Sequence, residues 1–223
     1  VMNGNRWIEA DDWPVPGTEY TNFYLREGNK LEKAKPITDE YPDTYTYDPA
    51  NEAPFIWSYS VDSGGPDNYE KVDERSDVLV YETGVSDDTF TVCGPITATV
   101  YAATSANDTD WVTRISLVHP SGYVQRLTEG WVRARSRNGL FKNELVQPGI
   151  VEQYKIDLWG TAVEVRPGYA LRLSITSSTF PLLARNLNTG RDITKETNPV
   201  VASQTIYHNT IYSSYVTLPI LAK

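Results

Sequence analysis

The two histidines are the residues on which any hydrolytic site within this chain would depend. His119 precedes Pro120 at the end of a predicted strand, and His208 lies in a Tyr-His-Asn triplet. A nucleophilic serine needs such a base, and it usually occupies a strained turn with the pattern Gly-x-Ser-x-Gly. That pattern does not occur, and the nearest sequence, at 84–88, lacks the second glycine. The sequence therefore favours two loop histidines with local hydrogen bonds over a Ser-His-Asp triad.

Asp108 and Asp110, on either side of Thr109, are the candidates for a calcium site. Calcium prefers clustered oxygen ligands, but the full calcium-loop pattern is missing from this segment. The preferred interpretation is a capped or salt-bridged turn between strands, because short acidic side chains often bond to turn backbone. The sequence has no phosphate-binding glycine loop and no histidine pair at helical spacing. We therefore predict no metal and no other cofactor.

An aromatic loop is the candidate for a ligand-binding wall. The run Pro-Phe-Ile-Trp-Ser-Tyr at 54–59 lies between proline-rich turns and is followed by Ser-Gly-Gly-Pro at 63–66. Aromatic side chains on a loop can wall a ligand pocket. The alternative is that these side chains pack beneath the loop or against a neighbouring domain, and the local pattern leaves both interpretations open.

The composition limits the classes of partner. The 223 residues carry 29 acidic and 20 basic side chains, a net charge of −9. Nucleic-acid binding needs a basic stripe, and Arg133, Arg135 and Arg137 instead alternate with apolar residues, as on the solvated face of a strand. For the same reason we predict no association with an anionic membrane surface. No apolar run approaches the roughly 18 residues of a membrane span.

The single cysteine, Cys93, excludes an intrachain disulfide and a cysteine-based zinc site. It ends the β-like run Phe-Thr-Val-Cys at 90–93. Free cysteine is among the residue types most often buried, so we predict an inert, buried structural thiol.

Period-two alternation is the main signal of secondary structure. Tyr154, Ile156 and Leu158 alternate with Lys155 and Asp157, and similar alternation occurs at 96–102, 169–176 and 216–220. This pattern predicts strands with one buried face, and glycine-proline turns separate them. No segment sustains a helical period. Residues 76–223 are therefore predicted to form an all-β sandwich or barrel, residues 36–75 long loops, and the aromatic-rich residues 1–35 an irregular segment.

Several stretches together resemble the non-catalytic C-terminal domain of the X-Pro dipeptidyl-peptidase and cocaine esterase (CocE/NonD) hydrolase family, which includes α-amino-acid ester hydrolases. The resemblance begins with Val-Met-Asn-Gly-Asn-Arg-Trp at 1–7 and Asp-Trp-Pro at 12–14, and Tyr-Thr-Asn-Phe-Tyr-Leu at 20–25 resembles the strand that follows them. It continues through Ala-Thr-Ser-Ala-Asn-Asp-Thr-Asp-Trp at 103–111, the most specific stretch. Further matching segments follow in family order at 117–122, 130–137, 167–173, 177–181 and 185–190.

The resemblance implies a jelly-roll β-sandwich, galactose-binding-domain-like, over residues 36–223. Residues 1–35 would be the exit segment from an α/β-hydrolase domain of the same polypeptide, and we expect them to expose an apolar patch. The family's Ser-Asp-His triad precedes the equivalent of Val1, so the chain alone is predicted to be inactive. Its parent would be a serine hydrolase acting on small acyl esters, amides or X-Pro peptides. Trp57 and Tyr59 are the residues predicted to wall the substrate site.

Two other functions stay open at this point. A carbohydrate-binding jelly-roll module would need a coplanar, exposed aromatic platform. An independent enzyme would need a pocket in which histidine and acidic groups converge, and the chain has only two histidines. A homo-oligomer is compatible with each interpretation. We expect a soluble protein, and the sequence does not distinguish a cytoplasmic from an exported one.

Overall fold

The computed structural model describes residues 1–56 and 67–221. This part of the chain is built almost entirely of strands. The strands are β1 Thr18–Arg26, β2 Lys30–Glu32, β3 Asp43–Tyr47, β4 Leu79–Glu82, β5 Phe90–Thr104, β6 Asp110–Val118, β7 Val124–Arg133, β8 Glu152–Val165, β9 Ala170–Thr176, β10 Ala202–Tyr207 and β11 Tyr215–Leu221. One short helix, α1 Glu70–Asp73, and a 3-10 turn, Ala134–Ser136, complete the regular elements. The predicted all-β class is confirmed.

The strands pair in the order of an eight-stranded jelly roll. One sheet has the antiparallel order β1-β11-β5-β8, and the other has the antiparallel order β4-β9-β6-β7. This arrangement is two interleaved Greek keys, which is the jelly-roll topology. Strand β2 links the sheets because it pairs with both β1 and β4, and β10 carries β3 at the far end of β5.

The core lies between the inner faces of the two sheets. Alternation places Tyr154, Ile156 and Leu158 of β8 inside, each no more than 1% exposed, while Lys155 and Asp157 face solvent. Large side chains interdigitate across the sandwich as in other two-sheet packings.

A glycine closes one side of the sandwich, where β7 of one sheet meets β8 of the other. A Cβ atom on Gly130 would lie 1.9 Å from the carbonyl oxygen of Asp157, so only glycine allows this approach. The Thr128 hydroxyl donates a hydrogen bond to the carbonyl of Leu158 at the same place.

The outer face of the second sheet is also covered. Every residue of β6 from Asp110 to Leu117 is buried, which alternation alone does not predict. A second apolar cluster, formed by Tyr69, Val72, Val78 and Val124, lies outside the main core. The loops on either side of the undescribed residues therefore form an additional layer over β6 and β7.

The sandwich begins earlier in the chain than the predicted boundary at residue 35. Strand β1 pairs along its length with β11, and its Phe23 and Leu25 side chains are buried in the core. Residues 18–32 are thus part of the sheets, and residues 1–17 form the irregular segment. None of the helices in the described residues is long and apolar enough to cross a membrane.

Candidate functional site

The predicted substrate-wall residues, Trp57 and Tyr59, lie outside the described residues, but the two ends of their segment are well defined. The amide of Phe55 donates to the carbonyl of Phe180 at 2.7 Å. On the other side, the amide of Tyr69 donates to the carbonyl of Val124 at 2.9 Å, and the Asn68 side chain accepts the amide of Val124 at 3.0 Å. Both ends are therefore fixed to the second sheet and the loop after it.

Tyr69 joins these two ends directly. Its hydroxyl accepts the amide hydrogen of Ile56 at 2.9 Å and donates to the carbonyl of Ile56 at 3.1 Å. Its ring is buried, and the guanidinium of Arg114 lies 4.2 Å from the ring centroid. Arg126 lies 4.8 Å from the ring of Phe55 and 6.0 Å from that of Tyr69. Two cations on aromatic faces thus support the base of the segment.

A buried ion-pair network lies beneath this base. Asp73 of α1 receives Arg114 of β6 at 2.5 Å and Arg172 of β9 at 3.1 Å, and Arg172 also reaches Glu82 of β4 at 2.7 Å. The Arg114 and Asp73 side chains are 3% and 2% exposed. Because an isolated buried charge is costly, this pairing fixes α1 on the sheet.

This network is not predictable from the sequence. Arg114 and Arg172 alternate with core residues, so each has the pattern of an outward, solvated side chain. They are buried by a layer of residues about 40 to 100 positions away in the sequence, and no local sequence pattern indicates this burial.

Four buried polar atoms on this face have no hydrogen-bond partner in the structure as described: Arg114 Nε, Ser116 Oγ, Arg126 Nε and Glu129 Oε2. The other carboxylate oxygen of Glu129 accepts the Thr179 hydroxyl at 3.3 Å, and burial raises the pKa of Glu129. Unpaired buried polar atoms are rare and usually mark places that water or function completes. The layer next to Tyr69 is therefore a polar region in which several buried groups lack a partner.

Asp108 and Asp110, the calcium candidates, lie at the far end of β6 and are almost fully buried. Asp108 accepts the backbone amide of Arg135 at 3.0 Å, and Asp110 receives both Nε and Nη2 of Arg133, at 2.8 and 2.9 Å. The Asn186 side chain bridges the two carboxylates at 3.1 and 2.9 Å. Burial, only partly offset by these bonds, raises the pKa of Asp108.

The arginines of this loop differ from their predicted role as a solvated strand face. The side chains of Arg133, Arg135 and Arg137 are only 19%, 15% and 10% exposed, and each is paired with an acid. Strand β7 ends at Arg133 and a 3-10 turn follows, so the period-two pattern does not continue as a strand. The residues instead hold the loop between β7 and β8. Across residues 1–56 and 67–221, no three acidic, histidine or cysteine side chains form a metal-binding group.

The histidines lie far apart and have different partners. His119 Nε2 shares a hydrogen bond with Gln125 Oε1 at 2.9 Å, and its ring packs against Tyr123 and Tyr169. His208 is fully buried, with Nδ1 at 3.2 Å from Glu40 and Nε2 at 3.0 Å from Asp43. Both of its ring nitrogens are therefore engaged by carboxylates.

Cys93 is 3% exposed, so the prediction of a buried thiol is confirmed. Burial raises the pKa of its thiol, which disfavours the reactive thiolate.

The strand order defines a jelly-roll β-sandwich domain with a covered outer face, and comparison with known proteins identifies its family. Residues 1–217 match the family described as the X-Pro dipeptidyl-peptidase C-terminal non-catalytic domain. The chain belongs to this family.

Three individual proteins are similar to this chain over at least 90% of its length. The chain is 32% identical over 237 residues to a cocaine esterase of a Rhodococcus species, covering all of this chain and 41% of that protein. The crystal structure of an aminopeptidase from a marine sediment archaeon, Thaumarchaeota archaeon, superposes with a TM-score of 0.93 at 28% identity, over 99% of this chain and 40% of that one. An α-amino acid ester hydrolase shares the fold, with a TM-score of 0.84 over 90% of this chain and 36% of its own, at 24% identity. The chain thus spans about two fifths of the length of these relatives.

Proposed function

We propose that this domain completes a serine acyl hydrolase, packing on an α/β-hydrolase domain of the same polypeptide and helping to shape its substrate site. The observation that carries the proposal is the family match over residues 1–217, in a chain that spans 41% of a cocaine esterase. The names of the relatives include an esterase, an aminopeptidase and an α-amino acid ester hydrolase. We infer that the substrate is a small acyl ester, amide or peptide.

The histidine environments support a domain without its own triad. A triad histidine must accept a proton from serine through one nitrogen while an acid orients the other. Both nitrogens of His208 are held by carboxylates, and Nε2 of His119 is held by Gln125. In the proposed polypeptide the nucleophile, base and orienting acid come from the hydrolase domain, where acylation of the serine and hydrolysis of the acyl-enzyme take place.

The contribution of this domain would come from Trp57 and Tyr59. Support comes from the neighbouring described residues, which are clamped by Tyr69 and seated on Phe180. A rigid base allows a loop to present aromatic side chains at low entropic cost on substrate binding. The pocket chemistry of the hydrolase domain and these aromatic walls would together set which acyl group is accepted.

Kinetics of the longer polypeptide test this role. Trp57→Ala with Tyr59→Ala should raise KM by about tenfold, the loss of roughly 1.4 kcal/mol of apolar contact, with a smaller effect on kcat. Tyr41→Ala is the matched control, because Tyr41 is 84% exposed on another loop and should leave both constants unchanged. An unchanged KM in the double variant would overturn the substrate-wall role.

Two tyrosine pairs at the first sheet do not form the platform that the carbohydrate-binding alternative needs. Tyr24 and Tyr215 are stacked at 5.5 Å with their planes 56° apart, and Tyr101 and Tyr212 at 5.7 Å with planes 46° apart. A sugar-binding platform needs rings that share a plane, and these pairs are tilted against each other.

A further inference from the structure

Three tryptophans lie exposed along one edge of the first sheet. Trp7, Trp13 and Trp159 are 96%, 54% and 68% exposed, in contrast to the fully buried Trp111. Single exposed apolar residues are common on protein surfaces, but a group of the largest aromatic side chains usually marks an interaction surface. We call these three residues the tryptophan edge.

The backbone at Trp159 is strained. Its φ of 63° lies in the left-handed region, which bulky side chains rarely adopt. The residue lies at an irregularity in the pairing of β8 with β5, and its amide donates to the Asp157 carboxylate at 2.8 Å. Strain of this kind costs about 1–2 kcal/mol and persists where it serves a function. Its effect is to turn an indole outward, into solvent.

Trp13 is seated next to Trp159 by two glycines. A Cβ atom on Gly160 would lie 3.2 Å from the Trp13 ring, so the indole lies directly on this glycine. A Cβ atom on Gly94 would lie 2.8 Å from Pro219 and 3.7 Å from Pro14, and Gly94 and Gly160 are near-neighbours on the paired strands β5 and β8. The missing side chains create a shallow depression that holds the irregular segment in place.

The start of the chain is anchored on the same strand. Met2 donates to the carbonyl of Ala162 at 2.8 Å and accepts the amide of Glu164 at 3.0 Å. Arg6 pairs with the Glu164 carboxylate and donates to the Thr91 hydroxyl at 3.0 Å, while the adjacent Trp7 ring stays free of the domain. Ala162 is three residues, or about 10 Å, along β8 from Trp159.

The position of the remaining chain indicates what covers this edge. The matched family is a C-terminal domain, and 41% of the cocaine esterase relative corresponds to this chain, so most of the rest precedes the residue equivalent to Val1. A hydrolase domain that precedes Val1 would therefore connect to this domain at β8, beside the tryptophan edge. Together the exposed parts of the three rings can bury roughly 300–500 Å². That is a large share of one side of an inter-domain interface, which totals about 600–1,500 Å².

We propose that the tryptophan edge is the surface on which this domain docks to the α/β-hydrolase domain of its own polypeptide. This docking face rests on the proposed function, which assumes a hydrolase domain in the same polypeptide. It adds the position of the contact on the surface of this domain. It lies on the first sheet, whereas Ile56 and Tyr69, which flank the segment of Trp57 and Tyr59, are held on the second. One domain would thus be held through one sheet and would serve the substrate site from the other.

Hydroxyl-radical footprinting with mass spectrometry tests the docking face. The 223-residue chain and the longer polypeptide are oxidised in parallel, and the rates at Trp7, Trp13 and Trp159 are compared. We expect about fivefold slower oxidation in the longer polypeptide, because the centre of an interface excludes water. Phe141, fully exposed on the loop between β7 and β8, is the internal reference for radical dose. Equal rates in the two proteins would overturn the proposal, as would protection in the short chain that grows with concentration, which would indicate a second copy.

A substitution provides an independent measurement. Trp159→Asn keeps a residue that tolerates the left-handed conformation but removes the indole. In the longer polypeptide it should raise the oxidation of Trp7 and Trp13 severalfold and leave the short chain folded. Ile211→Asn, at a residue 74% exposed in the loop before β11, is the control and should change neither. No change in Trp159→Asn would refute the docking face.

The two proposals can fail separately. Unprotected tryptophans in a polypeptide whose KM responds to Trp57 and Tyr59 would overturn only the docking face. Protected tryptophans with an unresponsive KM would overturn only the substrate wall.

Discussion

The hydroxyl of Tyr69 bonds to both the amide and the carbonyl of Ile56, at 2.9 and 3.1 Å, and so joins the described residues on either side of 57–66. One side chain replaces the two hydrogen bonds that a strand partner would give. The ring beneath the hydroxyl is held by Arg114 at 4.2 Å. The described residues Ile56 and Tyr69 are therefore coupled, through Arg114, to the ion pairs of the second sheet.

Tyr69→Phe should loosen this closure without unfolding the domain. We expect faster hydrogen exchange at the Ile56 amide and a loss of about 1 kcal/mol in unfolding free energy, the usual net value of a hydrogen bond. Exchange mass spectrometry of peptides spanning residues 50–56 measures the first effect, and urea denaturation the second. Exchange at Ile56 as slow as in the unchanged chain would show that the hydroxyl does not hold the segment.

The buried pair of Arg114 and Asp73 should be highly sensitive to removal of one partner. Arg114→Met leaves Asp73 with Arg172 alone and should cost about 3–5 kcal/mol in unfolding free energy, as for other broken buried pairs. Lys71→Ala is the control from the same helix, because its pair with Glu74 is exposed and should not shift the denaturation midpoint. Equal midpoints for the two variants would contradict the role given to the network.

His208 should make the stability of the domain depend on pH. Burial alone lowers the pKa of His208, but hydrogen bonds and charges from Asp43 and Glu40 outweigh it, and the pKa is raised above its usual 6.5. Tyr81 also donates to Asp43, and Arg26 donates to Glu40, so the surrounding charges are paired. The folded chain thus holds the proton more tightly than the unfolded chain.

The sign of this pH dependence follows from the linkage between proton binding and folding. The contribution of His208 is complete below pH 6.5 and is lost as the pH rises through its raised folded-state pKa. The pKa values of Glu40 and Asp43 are lowered, so the same cluster also weakens when strong acid protonates them. The midpoint difference between the unchanged chain and His208→Gln, measured by urea denaturation, should be largest near pH 6 and shrink above it. A difference that is constant with pH would count against a charged imidazole.

The melting temperature of the domain should depend on the arginines that pair with Asp108 and Asp110, and not on calcium. Their oxygens already accept Arg135, Arg133 and Asn186 at distances of 2.8 to 3.1 Å. Adding calcium or a chelator should therefore leave the melting temperature unchanged, while Arg133→Met should lower it by several degrees. A chelator-induced drop would restore the calcium interpretation.

The strands were predictable from the sequence because their alternation reports the inner faces of the sandwich, as in β8 and β9. The burial of the outer face of β6 was not predictable from its own sequence, since it depends on a layer contributed by α1 and its flanking loops. The burial of Arg133 and Arg114 was not predictable for the same reason. Their charge is typical of solvent-exposed residues, but their ion-pair partners lie 23 and 41 residues away in the sequence. Pairing over such separations leaves no local pattern. The jelly-roll assignment came from family motifs rather than from periodicity.

The boundary of the first strand was hidden for a different reason. Prolines and exposed aromatic residues before Thr18 give the whole N-terminal region an irregular composition, although Phe23 and Leu25 face the core. Composition over residues 1–35 therefore does not indicate this nine-residue strand, whereas the family resemblance does, because residues 20–25 resemble the strand that follows the exit segment.

The most direct test of the account is hydrolysis of p-nitrophenyl acetate, glycine-proline p-nitroanilide and a phenylglycine ester by the 223-residue chain and by the longer polypeptide. We predict turnover only by the longer polypeptide, and the preferred substrate would identify the acyl group. Turnover by the short chain that is lost on replacing His119 or His208 would contradict the account, because it would place a catalytic site within the sandwich.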